Sequence, residues 1–379
     1  MKAKIIRCCT VDSSIDFLRG MIPYLSEHYE LLLLSSPGKY LTELSEEYGV
    51  ISYGVKMERQ ISPLKDLISL FKLISIFAKE RPRMVHSMTP KAGLLCMLAS
   101  WMTCVPIRVH TFTGLVWPTS VGLKKKLLMA TDWLTCACAT HVVPEGQGVL
   151  NDLRNYGITN KPMKILGYGN IQGVEMDRFA RERVIDQSHT LKEKYGLDSC
   201  FTFIFVGRIV KDKGINELIY AFDLINQKYP QTRLLLVGRD DNDPISTITR
   251  KTIEDNPSIL KLGPIYGDDL IAHYVVADCL VFPSYREGFP NTVLEAGALG
   301  LPSIVTDING SREIIIEGEN GLIIPSKDKQ ALYGAMEKML LNKEMTANMA
   351  KKARRMIESR FDSHFVQQCL YDYYTEIIN

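Results

Sequence analysis

Glu287-Gly-Phe-Pro-Asn-Thr-Val-Leu-Glu295 follows a short apolar run, Cys279 to Ser284 (CLVFPS), that reads as a buried strand. Pro290 suits the first helical position, and Gly300 with Pro302 ends the helix about three turns later. A strand that runs through a loop into a helix N-terminus aims unpaired N–H groups and a partial positive charge at one point, which suits a diphosphate. Glu295 then lies in the helix and Glu287 in the loop before it. Two glutamates at this spacing carry little signal by themselves. Their setting, Pro283-Ser-Tyr-Arg before and Leu294-Glu-Ala around, carries more.

Working outward, the same alternation of apolar runs and helical periods fills the chain. Lys4 to Thr10, Leu31 to Ser35, Val50 to Val55, Met84 to Ser87, Ile107 to Thr111 and Thr140 to Pro144 read as strands of one doubly wound sheet. Phe201 to Val206 opens a second series, continued at Arg233, Ile259, Cys279, Ser303 and Gly321. A chain of 379 residues is too long for one ordinary core. The expectation is therefore two α/β domains. The strand at Phe201 ends in Gly207-Arg208-Ile-Val-Lys-Asp-Lys213-Gly214, two cations in one loop where surface charge contributes little to stability. Arg offers a fork of donors and Lys a compact charge, so the pair suits two phosphates. Asp241 and Asp243 form a D-x-D, but Pro244 follows and the run reads as a turn, so no metal is expected.

At residues 287–295 the chain resembles the retaining glycosyltransferases of family 4, whose E-x7-E motif has this form, and the resemblance extends over essentially the whole chain. It implies the GT-B fold, two doubly wound Rossmann-like domains with a cleft between them. It also implies a nucleotide-diphosphate sugar donor, most often a UDP-sugar, bound as substrate with no cofactor and no metal, and a hexosyl- or N-acetylhexosaminyltransferase activity. Carried onto this chain, it assigns Arg208 and Lys213 to the leaving diphosphate, Glu295 to the ribose hydroxyls and Glu287 to the donor sugar. Gly207, Gly288, Phe289, Pro290 and Asn291 border that donor, and Gly263-Pro-Ile265-Tyr266 holds the base, with Tyr266 either stacking or packing.

On the acceptor side the resemblance points to Ser13 and Ser14, where relatives have a Gly-rich turn, and to Glu145 after the sixth strand. Thr113-Gly114 stands where relatives have His-Gly. Either His110, one strand step earlier, takes over part of that role, or backbone atoms of Thr113 and Gly114 serve. The glycines from Lys164 to Gly173 resemble the interdomain segment. Residues 1–166 are expected to form the acceptor-side domain, 167–356 the nucleotide-sugar domain, and 357–379 a C-terminal helix packing back on the first.

Hydrophobic residues at 46% and charged residues at 23% describe a globular protein. Nine cysteines show no metal-ligand spacing, and Cys8, Cys9, Cys96, Cys104 and Cys279 lie in apolar surroundings, as reduced thiols of a cytoplasmic protein do. Lys2 to Thr10 is too short and polar for a signal peptide. Residues 1–165 hold 20 Lys and Arg against 13 Asp and Glu, a surplus of +7. No dense basic run or nucleic-acid motif accompanies it, which excludes nucleic acid as the partner. Lys124 to Lys126, between Trp117 and Trp133, read either as a solvated cluster or as a patch facing anionic lipid headgroups. Pro63 to Glu80 is a packed helix or a membrane-surface one.

The expected activity is sugar transfer to a lipid-linked saccharide in surface polysaccharide (capsule, O-antigen or exopolysaccharide) biosynthesis, peripheral at the cytoplasmic face of the membrane. A UDP-sugar 2-epimerase of the same fold and a non-catalytic nucleotide-sugar-binding subunit are the rivals.

Overall fold

The computed structural model describes residues 2–379, which form two units. The first runs to Gly173 and takes in Ser363–Asn379, and the second is Val174–Asp362. The sequence reading puts these changes at Gly167 and at residue 357. The first lies later because Val174, not Gly167, joins the second unit, pairing with Asp362. The return lies later because Ile357 and Phe361 of the helix Lys343–Phe361 fill the core of the second unit.

The first unit is a six-stranded parallel sheet: β1 (Lys4–Cys8), β2 (Glu30–Ser35), β3 (Ile51–Gly54), β4 (Met84–Met88), β5 (Ile107–Phe112) and β6 (His141–Pro144), in the order β3-β2-β1-β4-β5-β6. Its strands are apolar at successive positions because both faces are covered. Ile6, Leu32 and Leu34 enter the core on one side, and Ile5, Leu31 and Leu33 the core on the other. The helices Pro63–Glu80, Pro90–Met102 and Gly122–Cys138 supply the first of these cores through Phe77, Leu95 and Cys136. The second core is closed by Ile22, Leu41 and, from the helix Ser363–Ile378, Leu370 and Tyr374. Where the sequence predicts one helix from Ile15 to Glu27, the structure has a helical turn, a 3-10 segment and a second helix, Ile22–His28. Pro23 opens that last piece, where its missing N–H costs nothing.

Tyr374 ties the C-terminal helix to the sheet. Arg7 Nη1 donates to its hydroxyl at 2.7 Å, and the hydroxyl meets His86 Nδ1. His86 Nε2 in turn lies 2.7 Å from Thr111 Oγ1. Burial and the Arg7 charge hold the His86 pKa well below its ordinary value, so its ring is neutral.

The second unit repeats the plan with β7 (Phe201–Val206), β8 (Thr232–Val237), β9 (Ile259–Gly263), β10 (Cys279–Phe282), β11 (Ser303–Thr306) and β12 (Gly321–Ile324), in the order β12-β11-β10-β7-β8-β9. In each sheet the order reverses once, between β1 and β4 and between β7 and β10. Ligands of open parallel sheets bind outside the carboxyl ends of the strands at such a point. Among the described residues no helix is long and apolar enough to cross a membrane.

Candidate active site

The loops that leave β7 and β10 meet at the reversal point of the second sheet. Gly207 and Gly238 end β7 and β8 with φ of 151° and 147°. A Cβ on Gly238 would stand 1.7 Å from the Gly207 carbonyl oxygen, so this approach requires glycine. Lys211–Lys213 forms a short 3-10 turn, and Gly214 at φ 71° closes on Pro283. From the β10 side, Tyr285 N donates to the Asp212 carbonyl at 2.9 Å. This clasp brings the Lys213 ammonium onto the Glu287 carboxylate, with side-chain exposures of only 14% and 15%. Arg208 is more open and faces Asp241 at 3.4 Å and Asp212 at 4.0 Å. Arg286, which the sequence reading passes over, shares Asp212 at 3.6 Å. Three cations and three carboxylates thus converge, an arrangement in which an arriving polyanion can displace the acids.

Downstream, Gly288 presses its carbonyl against Gly310, where a Cβ would come within 2.2 Å. The Phe289 side chain is buried against Phe361, with ring centroids 5.4 Å apart, so it borders the loop through its backbone alone. The helix is Asn291–Ala298, one residue later than expected. Pro290 (ψ 108°) is its extended cap, and its carbonyl accepts from Val293 N at 3.1 Å.

Glu295 on this helix accepts a hydrogen bond from Tyr274 Oη at 3.0 Å. Burial pushes its pKa up to about 7, against the lowering effects of Tyr274 and Arg178. Tyr274 is fully buried and stands in the helix Gly267–Val275, which begins directly after Tyr266. No local sequence signal marks Tyr274 as the partner of Glu295. Tyr266 is 74% exposed, which leaves its ring free to stack and rules out core packing, while Ile265 packs at the edge of the core. The D-x-D is a turn: Asp241 faces Arg208, and Asp243 accepts from Asp212 N at 3.0 Å. Among the described residues no three His, Cys, Asp or Glu side chains are grouped to hold a metal ion.

In the first unit the expected residues follow the carboxyl ends of β1, β5 and β6. Ser13 is exposed and Ser14 buried, both in the helical turn after β1. Asp12 beside them accepts from Tyr40 N and Leu41 N at 3.1 and 2.8 Å, so it caps the helix Lys39–Tyr48. Thr113 and Gly114 (φ 113°) are half-buried after β5. Glu145 is buried after β6, its carbonyl accepting from Asn170 N at 2.9 Å. His110 corrects the sequence expectation. It is 1% exposed, with Nδ1 2.8 Å from Ser87 Oγ and its ring against Phe112 and Gly93. Burial lowers its pKa to about 3. It is a neutral packing group that lets a helix approach β5 at Gly93.

The description glycosyl transferases group 1 matches residues 187–356, and a glycosyl transferase 4-like domain matches residues 25–169. The capsular polysaccharide biosynthesis glycosyltransferase CapM of Staphylococcus aureus is 32% identical over 99% of this chain and 97% of its own length. The chain belongs to the group 1 glycosyltransferases. A second relative by sequence, the UDP-Gal:alpha-D-GlcNAc-diphosphoundecaprenol alpha-1,3-galactosyltransferase of Escherichia coli, is 26% identical over 89% of this chain and 86% of its length. Among solved structures, Anabaena HepE in complex with UDP superposes with a TM-score of 0.81 at 17% identity, covering 98% of this chain and 100% of HepE. The two parallel six-stranded sheets of this glycosyltransferase are those of the GT-B fold.

Proposed function

We propose that this glycosyltransferase moves a hexosyl or N-acetylhexosaminyl group, with retention, from a UDP-sugar to a lipid-linked saccharide in capsule or related surface polysaccharide synthesis. The observation that carries the reading is the convergence of Arg208, Lys213 and Arg286 at the β7/β10 reversal point, beside the N-terminus of the helix Asn291–Ala298. The relatives support it: CapM is named for capsule, the Escherichia coli enzyme for a UDP-sugar donor and a diphosphoundecaprenol acceptor, and HepE holds UDP.

Sugar transfer develops positive charge on the ring and negative charge on the departing diphosphate. Once the bound diphosphate has displaced their carboxylate partners, the cations and the helix N-terminus meet the second charge from positions already set when the reaction begins. As the diphosphate takes Lys213, the Glu287 carboxylate is released toward the donor sugar. Glu295 accepts from the ribose hydroxyls, Tyr266 stacks on the base, and the backbone of Gly207, Gly288, Pro290 and Asn291 lines the donor. Of the first unit's residues, Thr113 and Gly114 are assigned to the sugar and Ser13, Ser14 and Glu145 to the acceptor. Retention follows from attack on the same face, with a phosphate oxygen taking the acceptor proton. The test is transfer from a panel of UDP-sugars to a polyprenyl-diphosphate saccharide, with product anomer read by NMR. Donor-independent product, or inversion, removes the reading.

Two predictions arise here. Because cations do the work of a metal, activity should persist in excess EDTA; a strict divalent requirement abolished by Asp241→Ala would reverse this. The second concerns pH. Only ionised Glu295 accepts both ribose hydroxyls, so the donor KM should fall as pH rises through about 7. Tyr274→Phe removes a hydrogen bond that favours the carboxylate, so the KM limb should move to higher pH. An unmoved limb sinks the assignment. The effect on folding has the opposite sign: a raised carboxyl pKa favours the fold below the ordinary value of 4.5, and that contribution is lost as pH rises through about 7.

A further inference from the structure

The helices Pro63–Glu80 and Gly122–Cys138 both pack on Pro90–Met102, so three helices lie side by side over one face of the first sheet. A helix so placed ordinarily turns its apolar side inward and a polar side out. These two are apolar on both sides. Pro63–Glu80 buries Leu73 and Phe77 yet exposes Leu64, Leu67, Ile68 and Phe71, a stripe at helical spacing in which Leu64 is 81% and Phe71 62% exposed. At Gly122–Cys138 the outward residues are Val121, Leu123, Leu127 and Trp133, with Leu123 at 82%. A short exposed patch, Trp101 and Met102, ends the helix between them.

Exposed lysines are interleaved with these residues: Lys65 and Lys72 on the one helix, Lys124 and Lys126 on the other. Lys125 turns inward, 4.9 Å over the Tyr156 ring. Trp117, expected to flank the cluster, is fully buried and donates from its indole N–H to Asp132 Oδ2 at 3.0 Å, so it is not part of the surface. The interleaving decides what fits. Cores of protein–protein interfaces are depleted of lysine. A helix lying in a bilayer interface sinks leucine and phenylalanine below the headgroups while lysine stems reach up to phosphates.

We propose that the outer faces of Pro63–Glu80 and Gly122–Cys138 form a docking surface for an anionic bilayer, held by apolar insertion and supplemented by the lysines. It rests on the lipid-linked acceptor reading for its purpose, though not for its evidence, which is the surface itself. It also alters what the sequence suggests, because lysines alone would give binding that salt removes.

The experiment is flotation of the full-length protein with phosphatidylglycerol/phosphatidylcholine vesicles, at low and high salt. Three proteins are compared: wild type, Leu67→Ser/Phe71→Ser/Leu123→Ser, and Lys72→Gln/Lys124→Gln/Lys126→Gln. All six positions are exposed, and a thermal shift with UDP checks that each variant is folded. Wild type should float at both salt concentrations. The serine variant should bind at least about tenfold more weakly at both, and the glutamine variant should lose only the salt-sensitive part.

Flotation of the serine variant like wild type, or no flotation of wild type, overturns the proposal. So does a wild-type dimer that Phe71→Ser dissociates without any vesicle binding, since the face then belongs to a second copy. Vesicle binding without transfer to any lipid-linked acceptor supports docking and removes the acceptor reading. Transfer in detergent without vesicle binding does the reverse.

Discussion

Lys213→Ala should lower kcat/KM by about two to three orders of magnitude, or roughly 3 to 4 kcal/mol of transition-state stabilisation, and Arg208→Ala should do the same. The two substitutions differ in what they leave behind. Lys213 and Glu287 are mostly enclosed partners, so removing the lysine leaves a carboxylate where the diphosphate must sit. Lys213→Ala should therefore weaken UDP binding as well as turnover. Arg208 is more exposed and its partners Asp212 and Asp241 are themselves partly open, with side-chain exposures of 31% and 30%, so its loss should fall mainly on turnover. Adding Glu287→Ala to Lys213→Ala should restore UDP binding in calorimetry without restoring the rate. Rates near wild type in both single variants would remove the phosphate assignment.

Gly214→Ala should be nearly as damaging, though its side chain would touch no substrate. At φ 71° an alanine is strained by about 1 to 2 kcal/mol. Its Cβ would also lie 2.1 Å from the Pro283 carbonyl oxygen, backbone that cannot swing aside. The turn Lys211–Lys213 must then withdraw from β10, and a displacement of about 1 Å at a reacting centre can cost about 100-fold in rate. The expected result is a loss of turnover of that order with a lowered melting temperature. Gly196→Ala is the control, since Gly196 has a similar φ of 61° and open space around it. Equal losses in both would show that backbone strain alone, and not the clasp, is responsible.

Sequence made visible whatever is local or periodic. Runs such as Phe201 to Val206 could only be strands covered on both faces, and Arg208 with Lys213 had no stability reason to share a loop. What stayed hidden depends on residues far apart in the chain. Tyr274 is Glu295's partner only because its hydroxyl reaches from one helix of the second unit to another. His110 looked available because nothing in its own strand announces that Gly93 admits a helix against its ring. Trp117 and Trp133 flank the same lysines in sequence, but Trp117, in a 3-10 turn before the helix, is buried on Asp132, while Trp133, on the helix, is exposed. Nothing in the turn after β1 announces that Asp12 caps a helix, which only Tyr40 and Leu41, 28 and 29 residues on, reveal.

The tie between Arg7 and Tyr374 spans 367 positions. It makes the last helix a structural part of the first sheet, so the order of synthesis and the order of assembly differ. At about 5 to 20 residues per second, a ribosome that has finished Gly173 needs roughly 10 to 40 seconds more to deliver Ser363 onward. Throughout that interval the nascent first unit carries Arg7 without its tyrosine and an apolar core face without its cover, a state on which chaperones would act. A chain terminated early within its last helix would carry every residue of the donor site and still lack a finished first unit.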